Sequence, residues 1–265
     1  MRATKNRYVK IVEKIFFNHY REGASEVSFK REEINRVAQQ LKIELPKNLG
    51  DILYSFRYRM PLPQSIRKKA PKGQEWVILP RGRSSYAFVA TRLNTISPSG
   101  MMAEIKILDA TPGIITKYAL SDEQSLLAKI RYNRLVDIFT GVTCYALQSH
   151  LRTTVVEMGQ VETDEIYIGL DRRGVHFVFP VQAKGGKDKL GIVQIEQDFA
   201  ICAAKFPMLV CRPIAAQFMS DEIIALFEFE RNENRIAIVS AKHYRLVPPE
   251  EISSANLQKY QQYSS

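Results

Sequence analysis

The chain is poor in the residues from which covalent and histidine-centred scaffolds are made. Its three cysteines, Cys144, Cys202 and Cys211, are an odd number without a CxxC pair, which excludes a disulfide framework and a cysteine zinc site. His19, His150, His176 and His243 are scattered, with no HExxH or similar pairing, and read as ordinary structural histidines. Long apolar runs are also missing. Lys205 interrupts ICAAKFPMLV, and the opening MRATKNRYVKIVEKIFF has neither an uninterrupted apolar core nor a small-residue cleavage site. No membrane span is expected, and the expected location is the cytoplasm. The sequence has no internal repeat and no low-complexity block. At 265 residues and 45% hydrophobic content it can build one large or two modest cores.

Charge is unevenly spread. Residues 1–92 carry 20 Lys and Arg against 8 Asp and Glu, a net of +12; the totals of 38 and 28 leave 18 against 20 beyond, a net of −2. A cationic surface concentrated in one third of the chain fits a polyanion, with nucleic acid as the natural partner. A membrane surface would attract it too, but no lipid-anchor motif is present and the segment is patterned as a folded domain.

Within that basic third the apolar spacing predicts helices over 8–20, over 30–41 with Ser28 at its start, and over 46–59 with a proline in its first turn. Ile34, Val37, Ala38 and Leu41 form one inward stripe; Leu49, Ile52, Leu53 and Phe56 form another. A very short turn joins the second and third helices, an arrangement that resembles a helix-turn-helix. Two strand-like runs around Pro80-Arg-Gly-Arg83 follow and suggest a β-wing. Residues 1–92 therefore read as a winged helix-turn-helix domain. Its third helix would offer Lys47, Asn48, Asp51, Ser55 and Arg59 to a major groove, with Arg67, Lys68, Lys69, Lys72, Arg81 and Arg83 near phosphates. Tyr54, Tyr58 and Trp76 are expected in the core.

The stretch with most chemical content is 162–184, ETDEIYIGLDRRGVHFVFPVQAK. Ile166, Ile168 and Leu170 alternate on one face, the turn Asp171-Arg-Arg-Gly174 follows, and VHFVFPVQAK is rich in strand formers. In such a hairpin Gln182 and Lys184 share a face, and pairing can bring them near Asp164. Burying an acid and a lysine at the end of apolar strands costs free energy unless the charges meet each other or a ligand. A carboxylate holding a hard divalent cation, with a lysine steadying the attacking water, is what phosphodiester hydrolysis requires.

An acid on one strand and an x-lysine on the next resembles the PD-(D/E)XK nuclease superfamily. The stretches LLAKIRYNRLVDIF, LQSHLR, GQVETDE, PVQAKGGKDKLG and CRPIAAQF, between about 120 and 218, likewise have the look of a restriction-endonuclease-like family. The resemblance implies an α/β fold with a mixed sheet flanked by helices. It also implies a Mg²⁺ or Mn²⁺ cofactor and catalytic Asp164, Gln182 and Lys184, the first two on the metal. Gln182 stands where the family most often has Asp or Glu, which leaves a carbonyl ligand. Glu157, Glu165, Gln194 and Gln197 are accessory candidates, with Glu165 ranked lower because a regular strand turns it to the face opposite Asp164. The loop GGKDKLG after Lys184 is suited to a close approach to a phosphate backbone.

A boundary is expected over 93–101. The capping-type start Ser121-Asp-Glu-Gln124 opens a long helical region to about His150, with Leu126, Leu127, Ile130, Leu135 and Ile138 as its core stripe. A nuclease-like domain is expected over 102–252 and a frayed polar tail over 253–265. The expected activity is Mg²⁺-dependent cleavage of double-stranded DNA by a restriction-type homodimer. A repair, recombination or junction-resolving nuclease is the alternative within enzymes. A DNA-binding regulator with a degenerate nuclease core is the alternative outside them.

Overall fold

The computed structural model describes residues 2–92, 95–98, 102–119, 122–156, 158–185, 190–219, 223–232 and 235–262. They belong to two compact units, one of 1–95 with 153–161 and 191–193, the other of 96–152, 162–190 and 194–265. Ser121 and most of the expected boundary at 93–101 lie outside the described residues.

The first unit runs α1 (Arg2–His19), β1 (Glu26–Lys30), α2 (Glu32–Gln40), α3 (Gly50–Tyr58), α4 (Gln64–Arg67), β2 (Glu75–Pro80) and β3 (Ser85–Thr91). Its sheet is antiparallel in the order β1-β3-β2, with Phe29 opposite Tyr86 and Ile78 opposite Phe88. The expected stripes hold: Ile34, Val37, Ala38, Ile52, Leu53 and Phe56 are all buried. Leu41 is an exception at 37% exposed. Phe16 anchors the core, meeting Trp76 at 5.3 Å and Phe88 at 5.1 Å, both edge to face. Two expectations are corrected. Ser28 does not start a helix: Glu26–Lys30 alternates exposed and buried residues, with Val27 and Phe29 turned inward, and so forms a strand. The third helix starts at Gly50 and not at Pro46, because the Asn48 side chain accepts the Gly50 N–H and closes the turn there.

The remaining elements are β4 (Thr95–Ile96), β5 (Glu104–Leu108), α5 (Gly113–Tyr118), α6 (Asp122–Tyr132), α7 (Leu135–Thr140), β6 (Thr143–Val155), β7 (Gly159–Leu170), β8 (His176–Lys184), β9 (Leu190–Gly191), α8 (Ile192–Lys205), β10 (Val210–Cys211), β11 (Ile214–Phe218), β12 (Ile223–Asn232), β13 (Arg235–Val247) and α9 (Ser254–Gln261), with parts of β4, β6, β7, β9 and α8 counted in the first unit. They form a mixed α/β architecture whose large sheet has the order β5-β13-β12-β11-β8-β7-β6. β7 and β8 pair antiparallel, β8 and β11 pair parallel across the α8 connection, and β11, β12 and β13 pair antiparallel in sequence. Leu126, Leu127 and Ile130 of α6 join Phe179, Val181 and Ala183 of β8 and Ile214 and Ala216 of β11 in one core.

The helical region expected through His150 ends much earlier. Arg134 and Gly141 are both left-handed, with φ of 50° and 68°, and they bracket α7 before the chain turns into β6. Ile138, expected in the core stripe, is consequently 47% exposed. The tail expected to fray is helical over Ser254–Gln261. Ser253 and Asn256 form a capping box, and the Tyr260 hydroxyl accepts the Lys106 N–H of the edge strand β5 at 2.9 Å.

Gly169 of β7 allows a close approach that no other residue permits. A Cβ there would lie 2.6 Å from Cε2 of the fully buried Phe179 and 2.8 Å from Cγ1 of Val142. Gly169→Ala is expected to destabilise the protein by about 2 kcal/mol, read as a lower urea midpoint at an unchanged m-value.

Candidate active site

The site begins where the central ladder stops. Backbone pairing of β7 with β8 runs from Leu170↔His176 to Glu165↔Val181. Beyond that pair, side chains take over from the backbone. The Ala183 N–H donates to Asp164 Oδ2 at 2.8 Å, the Gln182 amide donates to the Glu162 carbonyl at 3.1 Å, and the Thr163 hydroxyl donates to the Val181 carbonyl at 3.3 Å. The hairpin therefore opens at one end without leaving these backbone groups unpaired.

Gln182 is almost fully buried and reaches α8. Its Nε2 donates to Asp198 Oδ1 at 2.9 Å, and its Oε1 accepts from Gln194 Nε2 at 3.3 Å. Lys184 turns towards α6, where its Nζ lies 2.7 Å from Glu123 Oε1. Gly185 makes room for that helix: a Cβ there would come within 2.5 Å of the Asp122 Cβ. The sequence-predicted trio is thus brought to one end of the sheet, with Gln182 and Lys184 each held by a different helix.

Two carboxyls at this end are held in costly surroundings. Burial raises the Asp164 pKa; the Ala183 N–H and the nearby charges of Lys184 and His150 draw it down again, and Glu123 opposes them. Asp198 is more extreme. It is fully buried and its pKa is pushed well above the ordinary carboxylate range by desolvation, with the Gln182 amide hydrogen bond and the nearby Thr163 hydroxyl opposing and the Asp164 charge adding to the rise. Its Oδ2 has no hydrogen-bond partner among the described residues.

Asp198 and Glu123 are the site residues that sequence reasoning missed. Asp198 lies four residues after Gln194 and so on the same helix face, a signal available in IVQIEQDF; Glu123 was read only as part of a helix cap. Of the accessory candidates, Gln194 reaches the site through Gln182. Gln197 is buried on α8 one residue before Asp198. Glu165 is 2% exposed and belongs to another network, accepting hydrogen bonds from Arg131 and from the Tyr167 hydroxyl, as its place on the opposite strand face requires. Glu157 and residues 186–189 of the basic loop lie outside the described residues.

The donors present suit a hard cation. Asp164 and Asp198 carboxylate oxygens and the Gln182 carbonyl are all oxygen ligands of the kind Mg²⁺ takes, and the orphaned Oδ2 of Asp198 is a buried acceptor lacking a donor. No group of three or more His, Cys, Asp and Glu among the described residues is placed to hold a metal, so the amide oxygen is needed to make up such a set.

In the first unit, Lys47, Arg59, Arg67, Lys68, Lys69 and Arg83 are exposed. Arg81 is paired with Glu26 at 3.2 Å. Asn48 and Ser55, expected to face bases, are occupied within their own helix. Asn48 binds the Gly50 N–H and Asp51 Oδ1, and the Ser55 hydroxyl donates to the Asp51 carbonyl at 2.7 Å. Trp76 is in the core, whereas Tyr54 is 47% exposed.

A carboxyl whose pKa rises on folding favours the folded state least once pH exceeds the unfolded value, because the unfolded chain releases its proton first. Asp198→Asn is accordingly expected to stabilise the protein in metal-free buffer. The difference in melting temperature from wild type should be small near pH 4 and widen as pH rises, as measured by thermal unfolding across that range. A gap that is constant with pH, or that narrows, contradicts the assignment. No family model matches the chain, and neither does any curated protein or solved structure, so the chemistry of this site is read from its own residues.

Proposed function

We propose that the chain is a Mg²⁺-dependent DNA endonuclease of the restriction type, with Mn²⁺ as the alternative metal. The first unit is taken as a winged helix-turn-helix that binds duplex DNA, and the mixed sheet as a restriction-endonuclease-like core that cuts it. The observation that carries this reading is the opened end of β7 and β8, where Asp164, held by the Ala183 N–H, lies within electrostatic reach of Lys184 and beside buried Asp198.

Each part matches what hydrolysis of a phosphodiester asks for. Asp164 and Asp198, with the Gln182 carbonyl, would hold the cation. When bound, it would supply a Lewis acid for the phosphoryl oxygens and a more acidic water. Lys184, kept in place by Glu123, would orient the attacking water and offset negative charge as it develops at phosphorus. Gln182 positions Asp198 through its amide N–H and is itself positioned by Gln194.

The DNA-binding half rests on two observations: the net +12 of residues 1–92, and the order helix, strand, three helices, then a hairpin whose second strand pairs with β1. A symmetric homodimer acting on a palindrome fits the need to cut two strands with one site per chain. A non-catalytic DNA-binding regulator is the second reading, favoured by one feature: the β8 position nearest Asp198 is an amide and not an acid.

Supercoiled, linear and branched DNA incubated with the full-length protein, with and without Mg²⁺, separates the readings. Metal-dependent cuts should be slowed at least about 100-fold by Asp164→Asn and by Lys184→Met, with gel-shift binding retained. Discrete cuts in plasmid favour restriction, and cuts confined to branched DNA favour junction resolution. Retained binding with no cutting of any substrate sinks the nuclease and leaves the regulator.

A further inference from the structure

Helix α3 is left with an unusual outer surface once its polar residues are accounted for. Asn48 and Ser55 are spent on hydrogen bonds within the helix and its first turn. Asp51 is exposed beside them, and the later part of the helix is aromatic and cationic. The Tyr54 and Tyr58 rings meet at 4.8 Å, the Arg59 guanidinium lies 4.9 Å over Tyr54, and that of Arg57 lies 5.0 Å over Tyr58. The Arg59 guanidinium makes no hydrogen bond or ion pair with another of the described residues, and Nε and Nη2 of Arg57 are buried without an acceptor among them.

Stacking occupies the face of a guanidinium and leaves its in-plane N–H groups available. Holding Arg59 on a ring also reduces the rotamer freedom it would lose on binding. A rigid pair of parallel donors matches the O6 and N7 acceptors that guanine presents in the major groove. The 47% exposed ring of Tyr54 beside it is a flat apolar surface, and the apolar feature of a base edge in that groove is the C5-methyl of a pyrimidine. The net +12 of this part of the chain supplies the attraction to the duplex but carries no sequence information.

We propose that Tyr54 and Arg59 are the sequence-reading pair of α3, with Arg59 taking a guanine and Tyr54 packing on the C5-methyl of a neighbouring pyrimidine, thymine or 5-methylcytosine. This inference rests on the DNA-binding half of the proposed function and is independent of whether the sheet unit cuts.

The test is selection from a random duplex library by the full-length protein in metal-free buffer, followed by affinity measurements on the enriched site. The enriched sites should share a guanine beside a thymine. Replacing that thymine with uracil, which removes only the methyl, should weaken binding roughly 5-fold or more. A cytosine duplex that recovers affinity when its C5 is methylated extends the site to 5-methylcytosine; one that does not restricts it to thymine. Arg59→Lys should relax the guanine position by about 10- to 100-fold. Tyr54→Ala should abolish the thymine–uracil difference while keeping the guanine preference. Circular dichroism melts of both variants must match wild type.

Several results overturn the assignment. It fails if Arg59→Lys selects the same site with unchanged strength, and it fails if the neutral Arg59→Gln loses affinity equally on every sequence with a shallower salt dependence, which marks a phosphate contact. A dimer that Tyr54→Ala dissolves assigns the patch to a second copy of the chain. Wild type that binds duplex without sequence preference overturns the reading pair alone, and wild type that binds no duplex overturns the DNA-binding half as well.

Discussion

The hydrogen bond from the Ala183 N–H to the Asp164 carboxylate occupies a position where a strand ladder would ordinarily continue, and the arrangement around it follows from that exchange. A backbone carbonyl on β7 would have satisfied the amide equally well, with a closed hairpin as the result. With a side chain in that place, β7 and β8 part after Glu165↔Val181, and the Thr163 and Gln182 side chains satisfy further backbone groups across the gap. The opening gives Gln182 room to reach Asp198 on α8 and leaves Lys184 at the strand end, where Gly185 lets α6 bring Glu123 close. A backbone defect is thereby turned into a polar cluster built from side chains of four elements, β7, β8, α6 and α8.

The same sheet shows what buried carboxylates look like when stability is their only role. Glu165 is met by the Arg131 guanidinium and the Tyr167 hydroxyl. Glu228 is met by Arg212, whose guanidinium also lies 5.5 Å over Phe177 and 5.6 Å over Phe179. Both acids have an arginine partner, which offsets the desolvation of a buried charge. Asp164 and Asp198 have none among the described residues: one accepts a backbone N–H, the other an amide, and both have pKa values raised by burial. Two carboxyls kept near each other without an arginine are costly in isolation, and a bound divalent cation would reverse the sign of that cost. The contrast between the two kinds of acid within one sheet is a stronger indication of chemistry than the short Asp…Gln-x-Lys pattern alone.

Much of this was legible in the residues. Period-two alternation placed the hairpin, put Glu165 on the face opposite Asp164, and set Gln182 and Lys184 at the same strand end. The apolar stripes of α2, α3 and α6 marked their buried faces. What escaped was set by tertiary context. β1 is five residues long and was absorbed into a neighbouring helix signal. β6 follows two helices, α6 and α7, broken apart by the left-handed Arg134, a conformation that this residue type does not announce, and the middle of the strand has exposed positions on both faces, which erases the alternation of a half-buried strand. Asp198 was hidden by the same limit: helix spacing gives its face, but only the sheet beneath shows that the face is buried against Gln182.

The charge distribution adds a constraint that neither unit shows alone. Every phosphate a duplex brings carries a negative charge, and the sheet unit, with its Asp164, Asp198, Glu123 and Glu162, offers a poor surface for it unless a cation is present. The residues beyond 92 sum to −2. In the proposed nuclease, electrostatic attraction to a duplex would come from residues 1–92, where 20 basic side chains outnumber 8 acids. Separating the two tasks has a physical advantage. A strongly basic site around Asp164 and Asp198 would pair their carboxyls with arginine, as Glu165 and Glu228 are paired, and would leave no oxygen for a metal. Affinity supplied by one unit allows the other to keep its acids short of cations, and that shortage is what makes its opened strand end suited to binding one.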